Sequence, residues 1–297
     1  MFKGSLVALV TPMCRDLSVD GRALHELVEW HINEGSDGIV AVGTTGESAT
    51  LTMEEHVDVI RKIVAQVKGR VPVIAGTGAN SVAEALELTE AARQARVDAC
   101  LLVTPYYNKP TQEGLYQFHK HIAERVAIPQ ILYNVPGRTG VDMLPATVAR
   151  LSDVNNIVGI KDATGQLSRL ESMQSMLRDD FMLLSGDDAT MLDFMLKGGH
   201  GGISVTANVA PRKVATLCEL ILAGEVEQAR EVEAELSGLN QSLFCESNPI
   251  PVKWAMAQMN LIQPYLRLPL TPLSLQYHGA VSQAMAQAGL TPVAKAE

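Results

Sequence analysis

The stretch Ile157-Val158-Gly159-Ile160-Lys161-Asp162-Ala163-Thr164-Gly165 is a short apolar run that ends in a lysine. Apolar runs of this length, bounded by turn residues, are what a strand buried on both faces looks like. Lysine is almost never fully buried unless something pairs with it or uses it. At the tip of such a strand its ammonium faces a pocket half-desolvated. Desolvation penalises the charged form, and the neutral amine is then available as a nucleophile toward carbonyls. Taken alone, the strand is better explained by an edge lysine that snorkels to solvent. The rest of the chain reverses that reading.

Seven more apolar runs flank this one, at residues 5–10, 38–42, 71–75, 99–103, 129–133, 181–185 and 202–205. Segments with helical spacing follow them, at 21–34, 52–68, from near 81, from near 111, 145–151, 167–177, 189–197 and 211–223. Thr52-Met53-Glu54-Glu55 opens the second of these with a capping-box pattern. Strands alternating with helices at this cadence mean parallel βαβ units. Eight of them predict an α/β fold, a closed (β/α)8 TIM barrel. An open doubly wound sheet is the alternative. It would carry a Gly-x-Gly-x-x-Gly turn after its first strand, where this chain has Thr11-Pro12-Met13. Beyond Gly224 the pattern is helical throughout, at 225–244, 251–259 and 274–288. The expected organisation is a catalytic barrel over 1–224 and a small C-terminal helical domain over 225–297, with no low-complexity linker between them.

Of the 297 residues, 47% are hydrophobic and 19% charged, enough for a large core and too few charges for a disordered chain. A net charge of −9, without a run of Lys or Arg, argues against a nucleic-acid partner. The four cysteines (Cys14, Cys100, Cys218, Cys245) are widely spaced and fit reduced thiols better than a disulfide frame or a zinc site. Met1-Phe2-Lys3-Gly4 lacks a signal-peptide apolar region, and no stretch approaches the length of a membrane span. A soluble cytoplasmic protein without a membrane partner is expected.

Catalytic groups of such a barrel lie at the C-terminal ends of its strands. Those ends read Thr11; Gly43-Thr44-Thr45-Gly46-Glu47-Ser48; Gly76-Thr77-Gly78; Thr104-Pro105-Tyr106-Tyr107; Tyr133-Asn134; Lys161-Asp162; Ser185-Gly186-Asp187; and Val205-Thr206. The ring is rich in hydroxyls and glycine and holds one lysine. Hydroxyls relay protons, and Gly-Thr loops present backbone N–H groups to a carboxylate. No His, Asp and Glu cluster suited to a divalent metal stands among them. Schiff-base chemistry on a 2-oxo acid is the reaction this set suggests. Lys253, in Asn248-Pro249-Ile250-Pro251-Val252-Lys253-Trp254, reads as structural. His119 and His121 point in different directions from one helix, which makes them poor co-ligands. The run Gly198-Gly199-His200-Gly201-Gly202 precedes a strand and reads as a turn, and Gly43–Ser48 lacks the ending of a P-loop.

With these residues in view, the chain resembles the dihydrodipicolinate synthase family, also called 4-hydroxy-tetrahydrodipicolinate synthases. Gly43-Thr44-Thr45-Gly46-Glu47, Tyr133-Asn134-Val135-Pro136-Gly137-Arg138-Thr139-Gly140 and Ile160-Lys161-Asp162-Ala163-Thr164-Gly165 are similar to its three signatures, and the similarity runs from Gly4 to about Pro272. The resemblance implies that Lys161 forms an imine with pyruvate and that its enamine adds to aspartate-4-semialdehyde. It makes Tyr133 the proton donor and acceptor. Thr44 and Tyr107 complete a relay, with Tyr107 reaching in from a neighbouring subunit. Thr45 holds the pyruvate carboxylate, Arg138 that of the second substrate, and Gly186 and Ile203 line the pocket. No metal or organic cofactor is implied, and the expected assembly is a homotetramer made as a dimer of dimers.

The same superfamily includes N-acetylneuraminate and keto-sugar-acid lyases, which share the lysine and the tyrosine; Arg138 favours the synthase. A non-catalytic oxo-acid-binding regulator would lack Lys161 or one of its hydroxyl partners. Two departures stand out. Asp162 occupies a position where many members carry Glu. Relatives inhibited by lysine bind it at an interface matched here by Ser48, Ala49, His56, Asn80, Glu84 and Tyr106, but Met53 replaces a histidine found in lysine-sensitive members. Feedback inhibition is therefore expected to be weak or absent.

Overall fold

In the computed structural model, which describes residues 2–290, eight parallel strands close into a barrel in chain order, β8 pairing back onto β1. They are β1 (Gly4–Ala8), β2 (Gly38–Ala41), β3 (Val73–Gly76), β4 (Ala99–Val103), β5 (Gln130–Asn134), β6 (Ile157–Asp162), β7 (Met182–Ser185) and β8 (Gly201–Ser204). The surrounding helices are α1 (Gly21–Asn33), α2 (Met53–Val67), α3 (Val82–Gln94), α4 (Gln112–Arg125), α5 (Pro136–Thr139), α6 (Pro145–Ser152), α7 (Leu167–Gln174), α8 (Met191–Leu196) and α9 (Pro211–Ala223). Helices α10 (Val226–Ser242), α11 (Ile250–Gln258) and α12 (Leu275–Gln287) follow.

The expected (β/α)8 barrel is present, with local differences that have physical causes. The Thr52 capping box forms, its side chain accepting from Glu55 N while the Glu55 carboxylate accepts from Thr52 N. The glycine run expected as a turn is partly strand, because Gly201 and Gly202 already belong to β8. A Cβ on Gly201 would stand 2.3 Å from the Gly4 carbonyl oxygen, so only glycine lets β1 and β8 approach. Helix α7 stops at Gln174 and not at 177, since Met176 N and Leu177 N both donate to Met173 O and tighten the chain into turns.

Short α5 was not foreseen. Pro136 at its first position and Gly140 (φ +70°) just past its end delimit one turn. That turn sets Arg138 in solvent at the rim of the barrel mouth.

Alternation along the strands sorts side chains into two layers. Leu6, Val40, Ile74, Leu101, Ile131 and Leu184 fill the barrel interior. Outward-facing residues pack under the helices. One apolar cluster runs from Val7 and Ile39 through Leu217 of α9 to Leu236 of α10, Met256 of α11 and Met285 of α12. The C-terminal helices thus share the barrel's core; residues 291–297 of the expected helical domain lie outside the described residues.

Candidate active site

Tyr133 and Lys161 are register partners on β5 and β6, and so are Asn134 and Asp162 one residue on. The period of two sends the first pair inward and the second outward. Lys161 is 6% exposed, and its Nζ stands 4.3 Å from the centroid of the Tyr133 ring. Both open on a cavity of about 190 Å3 lined by Gly43, Thr44, Thr45, Arg138, Gly186, Asp187, Phe244 and Asn248, among others. Gly186 is there for lack of a side chain. A Cβ would fall 2.8 Å from Lys161 Cε and 2.8 Å from Ala163 Cβ.

The outward pair anchors this geometry. Arg169, buried on α7, donates to Asp162 Oδ2 (3.2 Å), Asp142 Oδ2 (3.0 Å) and Met143 O (2.7 Å). Asn134 Nδ2 donates to Asp142 Oδ1 at 2.8 Å. Fixing Asn134 and Asp162 fixes the strand tips that carry the tyrosine and the lysine. Asp188 is buried beneath the same site, where Val205 N (2.9 Å) and Thr206 N (3.1 Å) donate to its Oδ2. Burial pushes this carboxyl above its usual range, while hydrogen bonds from Ser204, Thr206 and Val205 and the Lys161 charge pull it back.

The loop Gly43–Ser48 is held from the C-terminal helices. Thr45 is buried, and its Oγ1 accepts from Asn248 Nδ2 at 2.9 Å. Arg138 Nη2 donates to Asn248 O at 3.0 Å. Glu47, at φ +56°, accepts from Lys253 Nζ and from Arg267 N, and Lys253 Nζ also donates to Thr11 O (3.0 Å). The Lys253 and Glu47 side chains have no exposed surface.

A sequence profile described as the dihydrodipicolinate synthetase family matches residues 1–288. The chain belongs to that family. The 4-hydroxy-tetrahydrodipicolinate synthases of Teredinibacter turnerae and Saccharophagus degradans are 65% and 61% identical to it, over 97% and 98% of this chain and 99% and 100% of theirs. A crystal structure of the chloride-inhibited dihydrodipicolinate synthase from Acinetobacter baumannii, complexed with pyruvate, superposes with a TM-score of 0.96 at 54% identity. It covers 98% of this chain and 100% of that one.

In this dihydrodipicolinate synthetase family member a second cavity, of about 560 Å3, adjoins the first. Thr44, Arg138 and Asn248 line both. Ser48, Ala49, Met53, His56, Glu84 and Tyr106 line the second one. Asn80, named with them from the sequence, lies beside this wall; its carbonyl accepts from Asn108 Nδ2 at 2.9 Å. Nε2–H of His56 donates to Gly76 O at 2.8 Å, and burial lowers the histidine's pKa. Burial, and then the Glu84 charge, raises that of the Tyr106 hydroxyl.

Two predicted residues stand away from the cavities. Ile203 is buried in the barrel interior on β8. Tyr107 is 90% exposed and reaches neither cavity of its own chain. Among the described residues no group of three or more His, Cys, Asp or Glu could hold a metal ion, and no helix is long and apolar enough to cross a membrane.

Sequence reasoning missed Asn248 and Phe244 as lining residues, named Asp187 at a strand end without giving it a role, and did not pair Glu47 with Lys253. The one available signal for Asn248 was its place in the proline-flanked segment that leads to Lys253. Nothing local ties that segment to Thr45, more than two hundred positions away.

Proposed function

We propose that this chain is a lyase that condenses pyruvate with L-aspartate-4-semialdehyde on Lys161 to give 4-hydroxy-tetrahydrodipicolinate, the first committed step toward diaminopimelate and lysine. The observation that carries the reading is the lysine amine set over Tyr133 in a cavity shared with Thr44, Thr45 and Arg138. The Lys161 amine adds to the ketone of pyruvate and water leaves, giving an imine. Tyr133 takes a proton from the methyl carbon, leaving an enamine. The enamine carbon attacks the aldehyde, whose oxygen receives a proton through Thr44 and the relay. The substrate's amino group then adds to the imine carbon and displaces Lys161, closing the ring.

Thr45 holds the pyruvate carboxylate. Arg138 holds that of the aldehyde, a task suited to its two-pronged donor geometry. Tyr107 serves a neighbouring subunit's relay, in a homotetramer built as a dimer of dimers in the cytoplasm. A lysine effector fits the 560 Å3 cavity, its ammonium near Glu84 and its carboxylate near Asn80 and Tyr106. Met53 offers no polar contact there, so a lysine titration is expected to show weak inhibition or none. Sharp, near-complete loss of activity at low lysine would refute this.

Incubation with pyruvate and borohydride tests the condensation. One pyruvate-derived group per chain should map to Lys161, and Lys161→Ala should abolish it with the fold retained. An adduct mainly on Lys253, or preferential turnover of N-acetylneuraminate over the semialdehyde, would overturn the assignment.

A further inference from the structure

The carboxamide of Asn248 is the polar group in this site that the chain leaves unfinished. Asn248 is 6% exposed and lines both cavities. An Asn side chain offers two donors and one acceptor. Its Nδ2 donates to Thr45 Oγ1, which leaves the Thr45 hydroxyl proton free to donate to a carboxylate. Its main-chain oxygen accepts from Arg138 Nη2. Its Oδ1 is buried and has no hydrogen-bond partner among the described residues. A buried acceptor left unmade is costly, so a ligand that donates to it binds more tightly.

Arg138 and Asn248 Oδ1 therefore form one recognition unit, a fixed cation beside a fixed neutral acceptor. That pairing fits a carboxylate and an ammonium on the same carbon. The rival acceptor is Asp187, which lines the inner cavity; Thr190 N (3.1 Å) and Thr190 Oγ1 (2.7 Å) engage its Oδ2, its Oδ1 remains, and the test below separates it from Asn248. Glu84 lines only the outer cavity.

We propose that Asn248 is the specificity-determining residue for the amino end of the aldehyde substrate, its Oδ1 receiving the ammonium while its main chain holds Arg138 for the carboxylate. The assignment deepens, and rests on, the condensation proposed above.

The test compares the affinity of the pyruvate-loaded protein for L-aspartate-4-semialdehyde, as KM, with that for 4-oxobutanoate, as a competitor's Ki; 4-oxobutanoate is the same aldehyde without the amino group that displaces Lys161, so it is compared in binding and not in turnover. The intact chain should favour the amino compound by about 10- to 100-fold, the equivalent of one hydrogen bond to a charged group. Asn248→Ala should reduce that preference to within about threefold, while saturating pyruvate with borohydride still labels Lys161. Asn248→Asp returns the acceptor without the donor. It should restore the preference and raise the KM for pyruvate, because the Thr45 proton then goes to the new carboxylate. Equal loss for both aldehydes in Asn248→Ala would reduce the residue to a packing role and overturn the proposal. A preference that survives Asn248→Ala with neither aldehyde weakened would pass the ammonium to Asp187 and overturn it as well. Failure of pyruvate to label the intact chain would sink the condensation itself, and is read separately from the aldehyde ratio.

Discussion

Gly186 and Lys161 are so close that a single methyl group on the glycine would lie 2.8 Å from the lysine Cε and 3.0 Å from its Cγ. The missing side chain is the passage through which the lysine stem crosses the cavity. Gly186→Ala should leave the fold intact, because φ at this position is not in the left-handed region. The displaced amine should slow imine formation about 10- to 100-fold, the rate equivalent of an overpacking strain of about 1–3 kcal/mol. Borohydride trapping over time measures it; a native trapping rate would show that the lysine has room to move aside.

Arg138 should separate the two proposed substrates. It sits on α5 at the rim, beyond the lysine, and its side chain is exposed. Arg138→Ala should keep pyruvate trapping and raise the KM for the semialdehyde at least about tenfold, as expected for a charge-assisted hydrogen bond of roughly 1.5–3 kcal/mol. Steady-state kinetics with each substrate varied in turn would decide it. Unchanged semialdehyde kinetics would favour a sugar-acid substrate.

Much of this was legible in the chain. Eight apolar runs alternating with helical spacing announced the barrel, because burial on both faces leaves a strand no polar alternation. The residues at the strand ends then line the cavity, as Lys161 and Tyr133 do. Asn248 and Glu47 were not readable, for a different reason. Their partners, Thr45 and Lys253, are distant in sequence, and no local periodicity encodes a contact made only when the C-terminal helices close over the barrel mouth. Arg169 was hidden in the same way, a lone cation in a helix until α7 packs it against Asp162 and Asp142.

The buried pair of Lys253 and Glu47 gives a stability prediction. Burial lowers the pKa of the Lys253 amine, and the Glu47 carboxylate opposes that shift. Lys253→Met leaves Glu47 charged and uncompensated, and should cost about 3–5 kcal/mol in urea unfolding. Adding Glu47→Gln should restore at least half of the loss, since both charges are then gone. A double variant no more stable than Lys253→Met would refute the pairing as the cause.

Acid should weaken the fold above the range in which ordinary carboxylates titrate. Burial holds His31 and His119 down to about 3, from 6.5, so below 6.5 the unfolded chain binds protons that the folded chain refuses. Stability from these groups is full above 6.5 and is lost as pH falls toward 3, at about 1.4 kcal/mol per pH unit for each histidine. Glu233 works the other way. Desolvation lifts it to about 7, so between 7 and 4.5 its protonation favours the folded chain and offsets nearly all of one histidine, leaving the other to set the fall. Glu55, which Arg267 holds at about 2, adds to the loss only below 4.5. The urea midpoint should fall between pH 6.5 and 4.5, and His119→Leu should make that fall shallower. A midpoint constant across this range would contradict the argument.

Tyr107 supplies the last test, of assembly. It is 90% exposed at φ +71°, in a backbone region that non-glycine residues avoid. Asn108 Nδ2 ties the loop to Asn80 O at 2.9 Å, next to the exposed ring. An aromatic presented this way suits delivery across a twofold axis into a partner's relay. Tyr107→Phe should then lower turnover while pyruvate trapping persists, and Lys161→Ala should be inactive. Unfolded together and refolded, the two variants should recover activity, because in a mixed dimer one site pairs an intact Lys161 with the other chain's intact Tyr107. A random mixture gives at most about a quarter of native activity, since half the dimers are mixed and each has one complete site. If Tyr107 acted within its own chain, every site in the mixture would lack one group and nothing would be regained. An active monomer in sedimentation would point the same way.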